Sequence, residues 1–147
     1  MIYTDSGKYA IRALVYLAGR SDEELPVSAA EVAESEDIPP YYLAKVMQDL
    51  ARAGLLRSVR GRGGGFALKR PADKIGVLDI LGSVENVRRL TTECVLGLDQ
   101  CNDEVPCSLH NTWKNFRETQ LSILSELTLA DLVVELARKR GTPTRAG

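Results

Sequence analysis

Histidine occurs once in this chain, tryptophan once and cysteine three times, and aromatic residues make up only 5% of it. No stretch of about eighteen apolar residues exists, so no membrane-spanning helix is expected. Met1 leads into polar residues with no apolar core behind a basic cap, and no secretory leader is expected. Three cysteines, an odd number, suit reduced ligands better than a disulfide framework, which points to the cytoplasm. No Gly-Lys-Ser/Thr loop and no GxGxxG at a strand-to-helix junction is present. Without a nucleotide, flavin or nicotinamide signature, an enzyme is not expected. Internal repeats and low-complexity tracts are also missing.

What is present is concentrated. All three cysteines and the histidine lie in one segment, as Cys94, Cys101, Cys107 and His110, separated by six, five and two residues. Thiolates and an imidazole are the ligands that zinc and iron–sulfur clusters take. A Cys3His zinc site would have the same donors, but its usual short Cys-x2-4-Cys knuckles are missing. Reversible thiol oxidation among Cys94, Cys101 and Cys107 is a third chemistry open to this loop.

Charge divides the chain. Its net charge is −1, yet 45–74 carries eight basic residues against Asp49 and Asp73, a net +6. Between 93 and 135 eight acidic residues face only Lys114 and Arg117, a net −6. Such a split gives a nucleic-acid partner both attraction and orientation.

Helical spacing places Ala10, Ala13, Leu14, Leu17 and Ala18 on one face of a helix over 7–20. Ser28 and Glu31 form a capping-box pattern that starts a short helix burying Ala29, Val32 and Ala33. Pro39 and Pro40 can stand only at or before a first helical turn. Leu43, Val46, Met47, Leu50 and Ala51 then mark a helix over Pro40–Arg52, ended by Gly54. Two helices and a tight turn are a helix-turn-helix, whose outward face would present Pro40, Tyr41, Tyr42, Lys45, Gln48 and Arg52. Strand-like residues at 55–59 and 66–68 flank Arg60-Gly61-Arg62-Gly63-Gly64-Gly65. That loop reads as a basic β-wing. Its glycines, Gly63 among them, permit close approach, and Arg60 and Arg62 suit phosphate or minor-groove contacts. Beyond it come a short helix over Val77–Val84, the ligand loop over 88–109, and a long helix carrying Trp113, Phe116, Leu121, Leu124 and Leu127. Thr128 and Asp131 cap a last helix, and a basic, frayed tail is expected over 138–147. The fold class is mostly α with a small β-wing: a winged helix-turn-helix over 1–75, then a cluster loop and dimerisation helices over 76–137.

The chain resembles IscR-type regulators of the Rrf family of bacterial winged-helix transcription factors. The resemblance rests on Ser6-Gly7-Lys8-Tyr9-Ala10, on Ser58-Val59-Arg60-Gly61-Arg62-Gly63-Gly64-Gly65-Phe66, on Cys107-Ser108-Leu109-His110-Asn111-Thr112-Trp113 and on Leu127-Thr128-Leu129-Ala130-Asp131-Leu132. It implies a homodimer on palindromic double-stranded DNA, with an iron–sulfur cluster on Cys94, Cys101, Cys107 and His110. A 2Fe–2S cluster is what the IscR branch completes with a histidine. Other relatives carry 4Fe–4S and draw a fourth ligand from near the N-terminus, where this chain offers Asp5. Six residues separate Cys94 from Cys101, one more than the IscR branch has, and a loop containing Gly97 can absorb the difference.

Overall fold

The computed structural model describes residues 4–20, 25–87, 91–98 and 100–141. Helix α1 (Asp5–Ala18) starts two residues earlier than apolar spacing predicts, because Thr4 caps it and accepts a hydrogen bond from the Gly7 N–H. Helix α2 (Ala29–Glu36) begins at the expected cap, with Ser28 Oγ accepting from Glu31 N at 3.1 Å. The turn to α3 (Pro40–Arg52) passes through Asp37 in the left-handed region, and Pro40 occupies the first turn of α3. Strands β1 (Leu56–Val59) and β2 (Gly65–Leu68) pair antiparallel, with Leu56 opposite Leu68 and Val59 opposite Gly65. A 3-10 turn (Ala72–Lys74) leads to α4 (Val77–Val84), and α5 (His110–Glu126) and α6 (Leu129–Lys139) follow the ligand loop.

One apolar core joins both halves. Leu14, Leu43, Met47, Leu50, Leu55, Ile75 and Ile80 are fully buried together with Leu129, the first residue of α6. Helix α1 is the hub: α2, α3, α4 and α6 all pack on it. Backbone bonds from Val77 N to Leu127 O (3.0 Å) and from Leu129 N to Ile75 O (2.8 Å) stitch the last helix to the segment before α4. Thr128 and Asp131 complete the capping box expected of them.

The wing is anchored by a residue outside the hairpin. Val27 and Phe66 exchange backbone hydrogen bonds at 2.9 and 2.7 Å, so the entrance to α2 forms a third edge of the small sheet. Gly65 lies against that edge at φ +144°, and a Cβ there would stand 2.2 Å from the Val27 carbonyl oxygen. Alanine at this position combines a backbone conformation costing about 1–3 kcal/mol with a steric overlap. Gly65→Ala is therefore expected to lower the urea midpoint by the equivalent of roughly 2–3 kcal/mol. Gly61→Ala at the open tip provides the comparison for φ strain without a clash.

The expected tail begins later than 138. Helix α6 runs through Lys139, and Arg140 forks onto Glu36 with both guanidinium nitrogens at 3.2 Å; 142–147 lie outside the described residues. Glu36 is 5% exposed and also receives Arg12 Nε at 3.3 Å, while Arg12 donates a second bond to the Glu36 carbonyl. A buried carboxylate needs such partners, since an unpaired one is strongly penalised. Both arginines are partly exposed, which discounts the pair. Glu36→Gln is expected to lose about 1–2 kcal/mol in chemical denaturation, below the 1.5–3 typical of charged hydrogen bonds at full strength.

Candidate functional site

Two groups of residues form the candidate site: an exposed basic face and a ligand loop. On α3 the apolar stripe Leu43, Val46, Met47 and Leu50 is buried, which forces Tyr41, Lys45, Gln48 and Arg52 outward. Tyr41 is 91% exposed beside exposed Pro40, so the first turn projects freely. Tyr42 behaves differently. Its hydroxyl shares a 2.9 Å hydrogen bond with Ser6 Oγ, and its ring meets Tyr9 edge-on at 5.4 Å. Tyr42 thus braces α3 against α1 while Tyr41 remains available to a partner. Arg52 reaches back to Asp49 at 3.1 Å, an exposed pair of the kind that holds little energy.

Arg60, Arg62 and Gly63 are exposed at the wing tip. Gly61 and Gly63 adopt φ values of +92° and +73°, and Gly64 N closes the turn onto Gly61 O at 3.0 Å. The turn carries Arg60 and Arg62 at the end of the hairpin, both exposed. The exposed α3 face and the wing are the two surfaces a winged helix offers to a major groove and its flanking minor groove.

The ligand loop gathers the four predicted donors around one cavity of about 640 Å³, which Cys94, Cys101, Cys107 and His110 all line. Backbone bonds shape it: Cys101 N to Thr92 O, Gly97 N to Cys94 O and His110 N to Cys107 O, each 3.0 Å. Helix α5 secures one end, because Trp113 Nε1 (3.0 Å) and Arg117 Nη1 (3.1 Å) both donate to the Glu93 carbonyl. His110 opens α5 and is only 4% exposed.

One pair of donors is in direct contact: Cys101 Sγ lies 3.0 Å from His110 Nδ1, and Cys94 and Cys107 line the same cavity. Among the described residues no three His, Cys, Asp or Glu side chains converge on a point that would hold one ion. Three thiols and one imidazole around one cavity are a donor set that an iron–sulfur cluster or a zinc ion accepts. The Leu96 backbone N–H pointed at Cys94 holds its thiol below the usual range, helped by the Leu98 N–H, Cys107 and the Arg117 charge against the effect of burial. All three cysteines are free thiols.

A second layer surrounds the histidine. Asp103 Oδ1 is 2.8 Å from His110 Nε2, and Lys114 Nζ holds the same carboxylate at 3.0 and 2.9 Å. The hydrogen bond with His110, followed by that from Lys114, keeps Asp103 below the ordinary carboxylate range, and Asp103 raises Lys114 in return. Sequence reading overlooked both residues. Lys114 could have been found, because it follows His110 by four positions and shares its helix face. Asp103 sits in irregular backbone and carried no such signal. Asp5 has its carboxylate on Lys8 Nζ at 3.2 Å.

Residues 3–135 match the family described as "Rrf2: Iron-dependent Transcriptional regulator", and the chain belongs to that family. An HTH-type transcriptional regulator from Haemophilus influenzae is 38% identical over 141 residues, covering 95% of this chain and 91% of the relative. The solved structure of T. potens IscR superposes with a TM-score of 0.72 at 26% identity, covering 96% of this chain and 92% of that one. CymR, described as the global cysteine regulator of B. subtilis, gives 0.71 at 26% identity over 90% and 95%. Membership makes this chain a transcription regulator rather than an enzyme and bears out the winged-helix expectation. No helix among the described residues is long and apolar enough to cross a membrane.

Proposed function

We propose that this chain is a cytoplasmic, homodimeric regulator whose hold on a palindromic operator depends on an iron–sulfur cluster ligated by Cys94, Cys101, Cys107 and His110. The observation that carries this reading is that all four donors line one cavity, with Cys101 and His110 in direct contact. Three cysteines and one histidine supply the four terminal ligands that a 2Fe–2S cluster takes. When bound, the cluster supplies a redox-active cross-link among these side chains.

The chain's own residues do the rest. Gln48 and Lys45 on α3 are placed to read base edges, with Pro40, Tyr41, Tyr42 and Arg52 around them; Arg60, Arg62 and Gly63 address the backbone and minor groove. Phe116 and Ile123, seven residues apart on α5, leave a half-exposed apolar strip suited to pairing with a second copy. Order in the loop is transmitted to α5 through Trp113 and Arg117. Glu85, which ends α4, accepts Thr4 N (2.8 Å) and Thr4 Oγ1 (2.7 Å) and so ties α4 to the start of α1, beside the Ser6–Tyr42 bond. The two occupancy states must differ in DNA affinity, because a ligand indifferent to the two states shifts nothing.

Three free thiols lining one cavity favour one second reading, a reversible disulfide that performs the same switch by thiol oxidation. Anaerobic purification followed by a visible spectrum and analysis for iron, sulfide and zinc separates these. About two irons and two sulfides per chain support the ligand set, and about four of each require another donor. One zinc and no colour rejects the cluster. Metal-free protein even after anaerobic reconstitution, with a disulfide forming on mild oxidation, makes the thiol reading correct.

A further inference from the structure

His110 is the chain's only histidine, and both of its ring nitrogens are already engaged. Nδ1 faces Cys101 Sγ at 3.0 Å, both residues lining the cavity, while Nε2 faces Asp103 Oδ1 at 2.8 Å. A carboxylate accepts hydrogen bonds, so Nε2 is the nitrogen that keeps its proton, and Nδ1 is the one with a free lone pair. Asp103 is in turn held by both of its oxygens on Lys114 Nζ, four residues beyond His110 on α5. Carboxylate, imidazole and ammonium therefore form one chain, built partly on a helix and closed by the loop. Metal-bound histidines gain orientation and donor strength from such an outer carboxylate.

Resting on the cluster reading above, we propose that Asp103 is the positioning residue for His110, fixing the ring so that Nδ1 is the nitrogen presented to iron. Lys114 sets the strength of that hold by sharing the same carboxylate. Asp103 is 71% exposed, so its direct field on a buried site is screened by water, and its influence travels through the hydrogen bond to Nε2. Removing the carboxylate leaves His110 a weaker donor, which favours the reduced cluster and loosens the ligand. Removing the Lys114 charge lets Asp103 pull harder on the Nε2 proton and favours the oxidised cluster.

The unmodified chain, Asp103→Asn, Lys114→Met, His110→Cys and the His110→Cys/Asp103→Asn double variant are compared anaerobically by iron and sulfide content, redox titration and loss of colour to a chelator. Asp103→Asn is expected to keep the iron and sulfide of the parent. Its oxidised-to-reduced ratio at fixed potential should fall up to tenfold, an upward shift of about 59 mV, with roughly tenfold faster cluster loss. In the His110→Cys background the same substitution should shift the ratio by threefold or less. A potential and lifetime equal to the parent's, or an undiminished shift without the histidine, overturns the proposal.

Because one histidine exists, selective 15N labelling reads His110 alone in the reduced cluster. Strong coupling from labelled Nδ1 is expected, and strong coupling from Nε2 overturns the assignment. Should Asp103→Asn fail to assemble a cluster, Lys114→Met answers the same question: its potential moves downward, and an unmoved potential overturns the proposal. Absence of iron and sulfide from the reconstituted unmodified chain defeats the cluster reading itself, and this inference with it.

Discussion

Replacing Arg60 and Arg62 together by alanine is expected to weaken binding to an operator duplex by roughly a hundred- to a thousandfold at 0.15 M salt, each exposed arginine–phosphate contact contributing about 1 kcal/mol. The argument begins at the wing tip, where Gly61 and Gly63 in positive-φ conformations hold both arginines out from the protein. A dimer brings two such wings and hence four cations to the duplex. Each phosphate contact releases counterions, so losing four should reduce the slope of log K against log salt by about 3–4 units. Folding should be unaffected within about 0.5 kcal/mol, because exposed side chains away from packing rarely matter more. Titration of a duplex selected by this chain from a random pool, repeated at several salt concentrations, reads both quantities. An unchanged slope would mean that the wing does not touch the backbone, and Lys45 and Arg52 on α3 would then supply the electrostatic attraction.

The elements that position this interface were legible for a simple reason: their information is local. Ser28 and Glu31 lie three apart, as do Thr128 and Asp131, and each pair starts a helix where it was expected. The apolar stripe of α3 repeats every three or four residues, so its exposed face followed from its buried one. Arg60 to Gly65 declared a tight basic turn by composition. Illegible features depended on partners distant in sequence or on irregular backbone. Glu36 and Arg140 are 104 residues apart, and neither has a pattern that names the other. Val27 joins the sheet as a single bridging residue, too short to show alternation. The four donors were named from their chemistry, but spacing could not reveal that Cys101 meets His110 or that all four line one cavity. That arrangement depends on how the loop folds back, with Cys101 N on Thr92 O and Trp113 over Glu93.

Cys107→Ala is expected to abolish cluster binding altogether, with less than a tenth of the parent's iron and sulfide after anaerobic reconstitution. Cys107 leaves the loop three residues before His110 and is bonded to it through the backbone at 3.0 Å, so it lies where loop and helix meet. It lines the cavity with the other three donors, and its loss leaves only three of the four terminal ligands, with Cys101 and His110 still in contact. An iron short of a protein donor exchanges readily with solvent and chelators, and outer-layer support from Asp103 acts only on His110. The polypeptide itself should remain folded, since Cys107 lies outside the apolar core that joins α1, α3 and α6. That separation makes the variant informative about regulation. Its DNA affinity should equal that of unmodified protein stripped of metal and differ from that of loaded protein by about five- to 150-fold, the usual size of coupling between two sites. Equal affinity for loaded, stripped and Cys107→Ala protein on every selected duplex would separate the loop from the reading head. The contacts running from Glu85 through Thr4 and Ser6 to Tyr42 would then serve stability alone.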